Sequence, residues 1–313
     1  MALNRFHMDL RYFDVSLRDG LQSLAHIYSL PEKKRLLQRI LYNNHPNSIE
    51  VGSLVSPKVL PQMRDSLELY RFALLEQDKM RMRFRSYSEK KEKSKIFLLV
   101  PPTPKYIQYA KNEGVKNISL ITSISELFQQ KNTKQSLNAT KLALKHCLQS
   151  TDPRYGGNGS TAFENAKLYI SCITQCPISG QQDSLHIVNE VLHYANIPQI
   201  SELCLADTCG TLKFADFKFI VDFLQRVGCL DIKNKLSLHL HVRASTGNSN
   251  NQPELDENLD AIIQYAIKNE IFKFDVSSLE NSGGCSVTMP KELLTHNLTY
   301  ERLYRGLTDI EDF

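Results

Sequence analysis

The sequence predicts an α/β protein with a single (β/α)8 TIM barrel, and three features support this fold. Short apolar segments that favour strands alternate eight times with segments of helical periodicity. The chain has 313 residues, which is longer than most single domains but suits one such barrel. We therefore expect one domain over residues 1–313. Polar residues also follow several strands, where the active sites of these barrels lie. The alternative, an open doubly wound sheet, would need a glycine-rich phosphate-binding turn after the first strand, and RDGLQS is not one.

Each predicted strand is a short run of aliphatic, aromatic or β-branched residues between turn or helix signals. Two prolines end the third strand, because a proline ring removes the backbone donor that a ladder needs. The eight predicted strands are Tyr12–Ser16, Ser48–Gly52, Ile96–Val100, Asn117–Ile121, Leu168–Cys172, Glu202–Ala206, Leu236–His241 and Phe272–Ser277.

Helices are predicted between these strands. Pro31 begins the first helix, whose leucine and isoleucine side chains share one face, and the helix ends near Asn44. A second helix follows SPKVLPQ and ends near Leu75, and the tail from Lys291 supplies a last helix. The remaining predicted helices are Lys105–Glu113, Leu137–Leu148, Leu185–Tyr194, Phe214–Arg226 and Asn258–Ile267.

The basic insertion at residues 80–95 accounts for the excess positive charge. It holds seven Lys or Arg and two Glu, a balance of +5, whereas the whole chain carries +4. Met80, Met82 and Phe84 alternate with arginines, which predicts a short edge strand before the solvated run EKKEKSK. Because the excess charge is local, we expect a solvated insertion on the face opposite the active site and no nucleic-acid partner.

Composition narrows the class of protein further. A hydrophobic content of 42% with 9% aromatic residues is ordinary for a soluble globular chain. No apolar run approaches the ~20 residues that a membrane-spanning helix needs. The opening MALNRFHMDLRYF lacks an apolar signal core, and seven cysteines give no disulfide framework. We therefore expect a cytosolic protein without a membrane partner.

The segment Phe13–Ser23, FDVSLRDGLQS, contains the first candidate site residues. The first strand delivers Arg18 and Asp19 to its carboxyl end, and the following glycine predicts a turn that exposes both side chains. A guanidinium can bind a developing oxyanion, and a carboxylate can hold a divalent metal ion or a proton. An RDG turn alone would be ordinary surface structure, so its place at a strand end is what makes it informative.

Other strand ends carry further polar candidates. Glu50 closes the second strand, and Asp207 follows the sixth. His239 and His241 lie two apart in the seventh strand, so both imidazoles face one side and can reach one metal ion. Cys285 lies in the glycine loop SGGC after the eighth strand, where a plain turn with a surface thiol and a catalytic loop both remain open.

Seven segments of the chain together form a further pattern: LRDGLQ at 17–22, IEVGSLVSPKVLPQM at 49–63, SELFQQKN at 125–132, YISCITQCP at 169–177, LADTCGT at 205–211, HLH at 239–241 and GGC at 283–285. This combination resembles the 3-hydroxy-3-methylglutaryl-CoA (HMG-CoA) lyases, which belong to the barrel family of the isopropylmalate and homocitrate synthases. The resemblance covers nearly the whole chain. The RDG and HxH elements are shared across that wider family, whereas SPKxxPQM, SELF and the GGC loop favour the lyases.

The resemblance implies a divalent-metal-dependent lyase that cleaves HMG-CoA to acetyl-CoA and acetoacetate, with an acyl-CoA substrate and a possible homodimer. The metal ligands would be Asp19, His239, His241 and Asn297, with His296 as a rival to the last. Arg18 would stabilise the enolate oxygen, and Cys285 would lie on a mobile closing loop. Glu50 and Asp207 would complete the polar network around metal and substrate. Oxygen and nitrogen ligands with open positions suit Mg or Mn, although two histidines and one carboxylate also resemble non-haem iron sites.

The chain departs from this family pattern at two places. Val242 and Arg243 follow HLH where the family usually continues with Asp, and no proline follows Cys285. Two alternative functions therefore remain open. One is a Claisen-type condensation of acetyl-CoA with a 2-oxo acid on the same scaffold, and the other is a catalytically silent barrel that acts as a binding partner. The set of polar residues gathered at one end of the predicted barrel favours an enzyme.

Overall fold

Eight parallel strands close into a barrel in the computed structural model of the protein, as the sequence predicts. The structure describes residues 9–83, 93–148, 163–227, 232–243, 252–284 and 295–308. Numbered in chain order, the barrel strands are β1 (Arg11–Asp14), β2 (Ser48–Ser53), β3 (Lys95–Leu99), β4 (Asn117–Ser123), β5 (Asn165–Ser171), β6 (Glu202–Ala206), β7 (Leu236–His239) and β8 (Lys273–Val276). Each strand pairs with its neighbours in sequence, and β1 closes the barrel against β8.

Helices cover the outside of the barrel between consecutive strands. Their bounds are α1 (Leu30–Arg39), α2 (Ser66–Arg83), α3 (Pro104–Asn112), α4 (Glu126–Thr133), α5 (Leu137–Leu148), α6 (Ser184–Ala195), α7 (Phe214–Arg226), α8 (Ile232–Lys235), α9 (Gln252–Lys268) and α10 (Tyr300–Thr308). The predicted bounds of α5 and α7 are confirmed without change.

Local signals explain where several helices begin. Ser29 and Glu32 form a capping box at the start of α1, which satisfies backbone N–H groups that have no partner inside the helix. Asp183 accepts a hydrogen bond from the His186 N–H at 2.8 Å and caps α6 in the same way. Each helix then packs an apolar face on the barrel, as Phe217 and Ile220 of α7 illustrate.

The strands are buried on both faces, so their side chains divide between the core beneath the helices and the barrel interior. Outward-facing residues such as Ile49, Leu168 and Phe274 join the main core beneath the helices. Inside the barrel, Phe13, Val15 and Phe97 form a separate small cluster, in which the two phenylalanine rings meet edge to face at 5.0 Å. The barrel interior also holds buried polar side chains, among them Lys167 and Asp275.

Two sequence predictions need correction here. Helix α2 continues through Met82 to Arg83, so the described part of the basic insertion begins as helix and not as an edge strand. Residues 84–92 of that insertion lie outside the described part. The seventh strand ends at His239 instead of His241, and a second short strand, His241–Arg243, pairs antiparallel with Thr295–Asn297. Within the described ranges, no helix has the length and apolar character that crossing a bilayer requires.

We predict that the buried face of α7 contributes far more to the free energy of unfolding than its exposed face does. Phe217 is fully buried, whereas Phe219 on the same helix is 41% exposed. Phe217→Ala should lower the free energy of unfolding by about 3–5 kcal/mol through cavity formation. The matched change Phe219→Ala should alter it by no more than about 0.5 kcal/mol. Urea unfolding of the two variants measures both values, and equal losses would contradict the packing described here.

Candidate functional site

Arg18 and Asp19 lie in a tight turn that directly follows β1. Ser16–Gly20 form a five-residue π-helical turn, which the Gly20 N–H closes by donating to the Val15 carbonyl at 3.0 Å. The turn curls back over the barrel mouth, so Arg18 is only 6% exposed and Asp19 only 7%. The prediction that this turn exposes both charged side chains is therefore wrong, because the barrel end encloses them.

Arg18 joins two carboxylates in this enclosed position. Its Nε donates to Glu50 Oε2, and its Nη1 donates to Asp19 Oδ1 at 2.5 Å. The guanidinium also lies over the Tyr169 ring, 5.2 Å from the centroid, and the Tyr169 hydroxyl donates to Glu50 Oε2 at 3.4 Å. Burial disfavours the charge of Arg18, but Glu50 and Asp19 hold its pKa well above the ordinary value. The cation is therefore fixed in place and permanently charged.

His239 and His241 come together although they belong to different strands. Their Nε2 atoms lie 3.1 Å apart, and the two rings meet edge to face. The Nδ1 atom of His241 lies 2.7 Å from the Asp207 carbonyl oxygen, and Nδ1 of His239 lies 3.1 Å from Asp275 Oδ2. Because a carbonyl and a carboxylate can only accept, both Nδ1 atoms carry the proton. In the neutral form of each ring, both Nε2 lone pairs point into the same small space.

Asp19 and Asn297 border that space. Asp19 Oδ2 lies 3.9 Å from His239 Nε2, and the candidate ligand atoms of Asp19, His239 and His241 all lie within 4.8 Å of one another. The Asn297 amide is buried, and neither of its polar atoms has a hydrogen-bond partner among the described residues. His296, the predicted rival of Asn297, alternates to the other, more exposed face of the short strand.

These residues fit a divalent cation. Two lone pairs 3.1 Å apart repel each other unless a positive centre lies between them, and the unpaired Asn297 oxygen adds a further donor. Burial lowers the pKa of His241 to about 4, with a contribution from His239, so the imidazole is neutral as a metal ligand must be. Burial opposes ionisation of Asp19, but Arg18 and the two histidines hold its pKa below the ordinary value. A carboxylate oxygen and two imidazole nitrogens suit Mg²⁺ or Mn²⁺, and also non-haem iron.

Asp207 contributes to the site mainly through its backbone. Its carbonyl orients His241, while its carboxylate accepts hydrogen bonds from the Thr211 and Leu212 N–H groups at 3.0 Å each. Burial raises the pKa of the Asp207 carboxyl to about 6, against the lowering effect of those bonds. Asp207 thus lies beside the histidines, with its carboxylate directed at the loop after β6.

The glycine loop after β8 reaches the same cluster. The Gly284 N–H donates to Asp19 Oδ2 at 3.3 Å. Gly283 has a φ of +94°, and a Cβ there would lie 2.2 Å from the Asn297 side-chain nitrogen, so only glycine fits against the site. Cys285 itself lies outside the described residues.

Three buried polar residues of the site were missed from the sequence. They are Lys167 and Tyr169 of β5 and Asp275 of β8. Their signal was present, because charged or polar residues inside otherwise apolar strands must face a polar partner when the strand is buried. Residues 167 and 169 also share one face of their strand, which here is the barrel interior.

The described fold and site define a TIM-barrel protein whose carboxylate, two imidazoles and arginine gather at the carboxyl ends of the strands. The comparison with protein families makes this more specific. The chain matches the sequence model of the HMGL-like family over residues 9–255, and it belongs to that family.

Curated relatives and solved structures agree with this membership. The chain is 25% identical over 209 residues to the mitochondrial hydroxymethylglutaryl-CoA lyase of Bos taurus, covering 67% of this chain and 56% of the relative. It is 28% identical over 203 residues to the 3-hydroxy-3-isohexenylglutaryl-CoA/hydroxy-methylglutaryl-CoA lyase of Pseudomonas aeruginosa, covering 64% and 58%. The matches thus span little more than half of these relatives.

Among solved structures, the hydroxymethylglutaryl-CoA lyase of Pseudomonas aeruginosa superposes with a TM-score of 0.71 at 23% identity, covering 97% of this chain and 87% of that one. An HMG-CoA lyase from Acenitobacter baumannii in complex with coenzyme A and 3-methylmalate gives 0.70 at 22% identity, covering 96% and 84%. At these identities the likeness concerns the fold.

We predict that the buried Arg18–Glu50 pair stabilises the protein far more than an exposed pair does. Arg18→Met leaves Glu50 as a buried charge without its cation, and should lower the free energy of unfolding by about 3–5 kcal/mol. Arg71→Met removes the same charge from an exposed pair with Glu113 and should change it by about 1 kcal/mol at most. Urea unfolding tests this difference, and losses of the same size would contradict it.

Proposed function

We propose that the protein is a divalent-metal-dependent carbon–carbon lyase that cleaves HMG-CoA to acetyl-CoA and acetoacetate. The observation that carries the proposal is the meeting of two imidazole Nε2 atoms, 3.1 Å apart, beside the carboxylate of Asp19. Family membership and the printed names of the curated relatives, which are lyases of this class, support the choice of reaction. The 313 residues would form one domain built on this barrel.

Asp19, His239, His241 and Asn297 would hold Mg²⁺ or Mn²⁺. The bound ion would act as a Lewis acid that lowers the pKa of the substrate's tertiary hydroxyl. Two of these ligands already have a second contact that fixes their orientation. Arg18 holds one oxygen of Asp19, and the Asp207 carbonyl holds His241. Such fixed ligands keep the reacting group in one position.

The bond that breaks joins the carbinol carbon to the methylene group next to the thioester. A base removes the hydroxyl proton, the ketone of acetoacetate forms, and the bonding electrons pass to the acetyl-CoA enolate. Glu50 and Asp207 are buried carboxylates beside the cluster, the first bound to Arg18 and the second next to His241, and we propose that one of them serves as this base.

Arg18 would bind the enolate oxygen. Its Nη2 group makes no hydrogen bond to another described residue, since Glu50 and Asp19 engage the Nε and Nη1 atoms. A guanidinium held between two buried carboxylates needs no reorganisation when negative charge develops. Glu50 and Asp19 therefore position the cation as well as neutralising it.

The last step adds a proton to the enolate carbon. We propose Cys285 for this role because the two glycines that precede it contact Asn297 and Asp19. A thiol carried by that loop could protonate the enolate carbon, and closure of the loop could exclude water.

The substrate would be an acyl-CoA, as in the coenzyme A complex of the Acenitobacter baumannii lyase. The possible homodimer that the family resemblance implies and the cytosolic location predicted from the sequence stay predictions. Several of the curated relatives carry the word mitochondrial in their names.

We predict acetoacetate release from HMG-CoA when Mg²⁺ or Mn²⁺ is added, and no release in the presence of a chelator.

Arg18→Gln should lower kcat by roughly 10²- to 10³-fold, because it removes a preorganised oxyanion donor. Asp19→Ala should abolish the activity, and added Mg²⁺ or Mn²⁺ should not restore it. Cys285→Ala should lower kcat by roughly 10²- to 10⁴-fold if the thiol supplies the proton.

The control is Arg71→Gln, which removes an exposed guanidinium of α2 and should leave the rate unchanged. Metal binding without HMG-CoA cleavage, but with condensation of acetyl-CoA and a 2-oxo acid, would replace the lyase with the synthase reaction. Neither activity nor metal binding would leave a silent barrel and refute the proposal.

A further inference from the structure

A buried ion pair lies inside the barrel directly next to His239. Lys167 of β5 and Asp275 of β8 are almost inaccessible to solvent, and Lys167 Nζ donates to Asp275 Oδ1. β6 and β7 separate these strands in the barrel, so the contact crosses the interior. The reaction proposed above gives neither residue a role.

The surroundings of Lys167 hold its ammonium in one place. It lies 3.6 Å from the centroid of the Phe13 ring and 4.9 Å from that of Tyr169, and a second carboxylate, Glu202, lies 2.9 Å away. Two carboxylates and two aromatic faces compensate the removal of the ammonium from water. The lysine is thus a fixed anchor for Asp275.

We propose that Asp275, anchored by Lys167, is a positioning residue that holds His239 in the tautomer whose Nε2 lone pair faces His241 and Asp19. The inference rests on the metal site of the proposed function, and it adds the residues that prepare one ligand. Lys167 engages Oδ1, and this leaves Oδ2 directed at His239 Nδ1, 3.1 Å away.

The chemistry of a neutral imidazole gives this contact its importance. One ring nitrogen carries the proton and the other the lone pair, so a fixed acceptor at Nδ1 leaves Nε2 as the donor to a metal ion. His241 obtains the same result from the backbone carbonyl of Asp207. His239 has no such carbonyl among its described contacts, and Asp275 takes its place. The ring edge against Tyr169, with centroids 5.8 Å apart, further restricts rotation.

Glu202 provides a matched control. Like Asp275 it is a carboxylate paired with Lys167, but no contact with His239 is described for it. If the ion pair only compensates charge inside the barrel, Asp275→Asn and Glu202→Gln should have similar effects on the site. If Asp275 positions His239, only Asp275→Asn should change the tautomer of His239 and the affinity of the site for metal.

The first measurement is NMR of the metal-free protein labelled with ¹⁵N-histidine. The His239 signal, identified by its loss in His239→Gln, should show a proton on Nδ1 and none on Nε2. Asp275→Asn should give a mixture of tautomers, and Glu202→Gln should retain the natural one. A natural protein with its proton on Nε2 would overturn the proposal even if neither variant folds.

The second measurement is the affinity for Mn²⁺ by isothermal titration calorimetry without substrate. Asp275→Asn should weaken binding by roughly 10- to 100-fold, as loss of a partner behind a metal-bound histidine does. Glu202→Gln should bind Mn²⁺ as the natural protein does. Equal affinities for both variants would overturn the proposal. A natural protein that binds no Mn²⁺ would instead refute the proposed metal site, and the NMR result would still decide the tautomer.

Discussion

The convergence of the His239 and His241 Nε2 lone pairs is the constraint on which the rest of the site depends. Two buried acceptors 3.1 Å apart are unfavourable without a positive centre, so the surroundings must impose the arrangement. They do so from three directions: the Asp207 carbonyl holds His241, Asp275 holds His239, and the short strand Thr295–Asn297 pairs with His241–Arg243. The site is therefore organised before any cation arrives, and the barrel supplies the rigidity.

The charged side chains at the barrel mouth are also fixed by their neighbours. Arg18, Asp19 and Glu50 are buried together in a linked row, and Lys167 and Asp275 form a second buried pair deeper in the barrel. Each cation has at least one carboxylate partner, as burial requires. The oxygen of Asp19 that does not bind Arg18 faces the histidines. A divalent cation bound between this oxygen and the histidines would be a further positive partner for Asp19.

The sequence predicted the barrel well, because each β/α unit carries its own strand and helix periodicity. It also placed Arg18, Asp19, His239 and His241 at one barrel end, and the structure brings them together. It missed the burial of the RDG turn and the strand break at Leu240, since both depend on how distant segments close over the barrel. The charges of Lys167 and Asp275 inside apolar strands were a readable signal, but their pairing was not, because 108 residues separate them and only barrel closure brings them into contact.

The most direct test of this account is the anomalous X-ray signal of a crystal of the protein soaked in Mn²⁺. The account predicts one strong peak in contact with Asp19 Oδ2 and the Nε2 atoms of His239 and His241, with the Asn297 side chain beside it. The absence of a peak there, or a peak bound by other side chains, would contradict the assignment of this cluster as the metal centre.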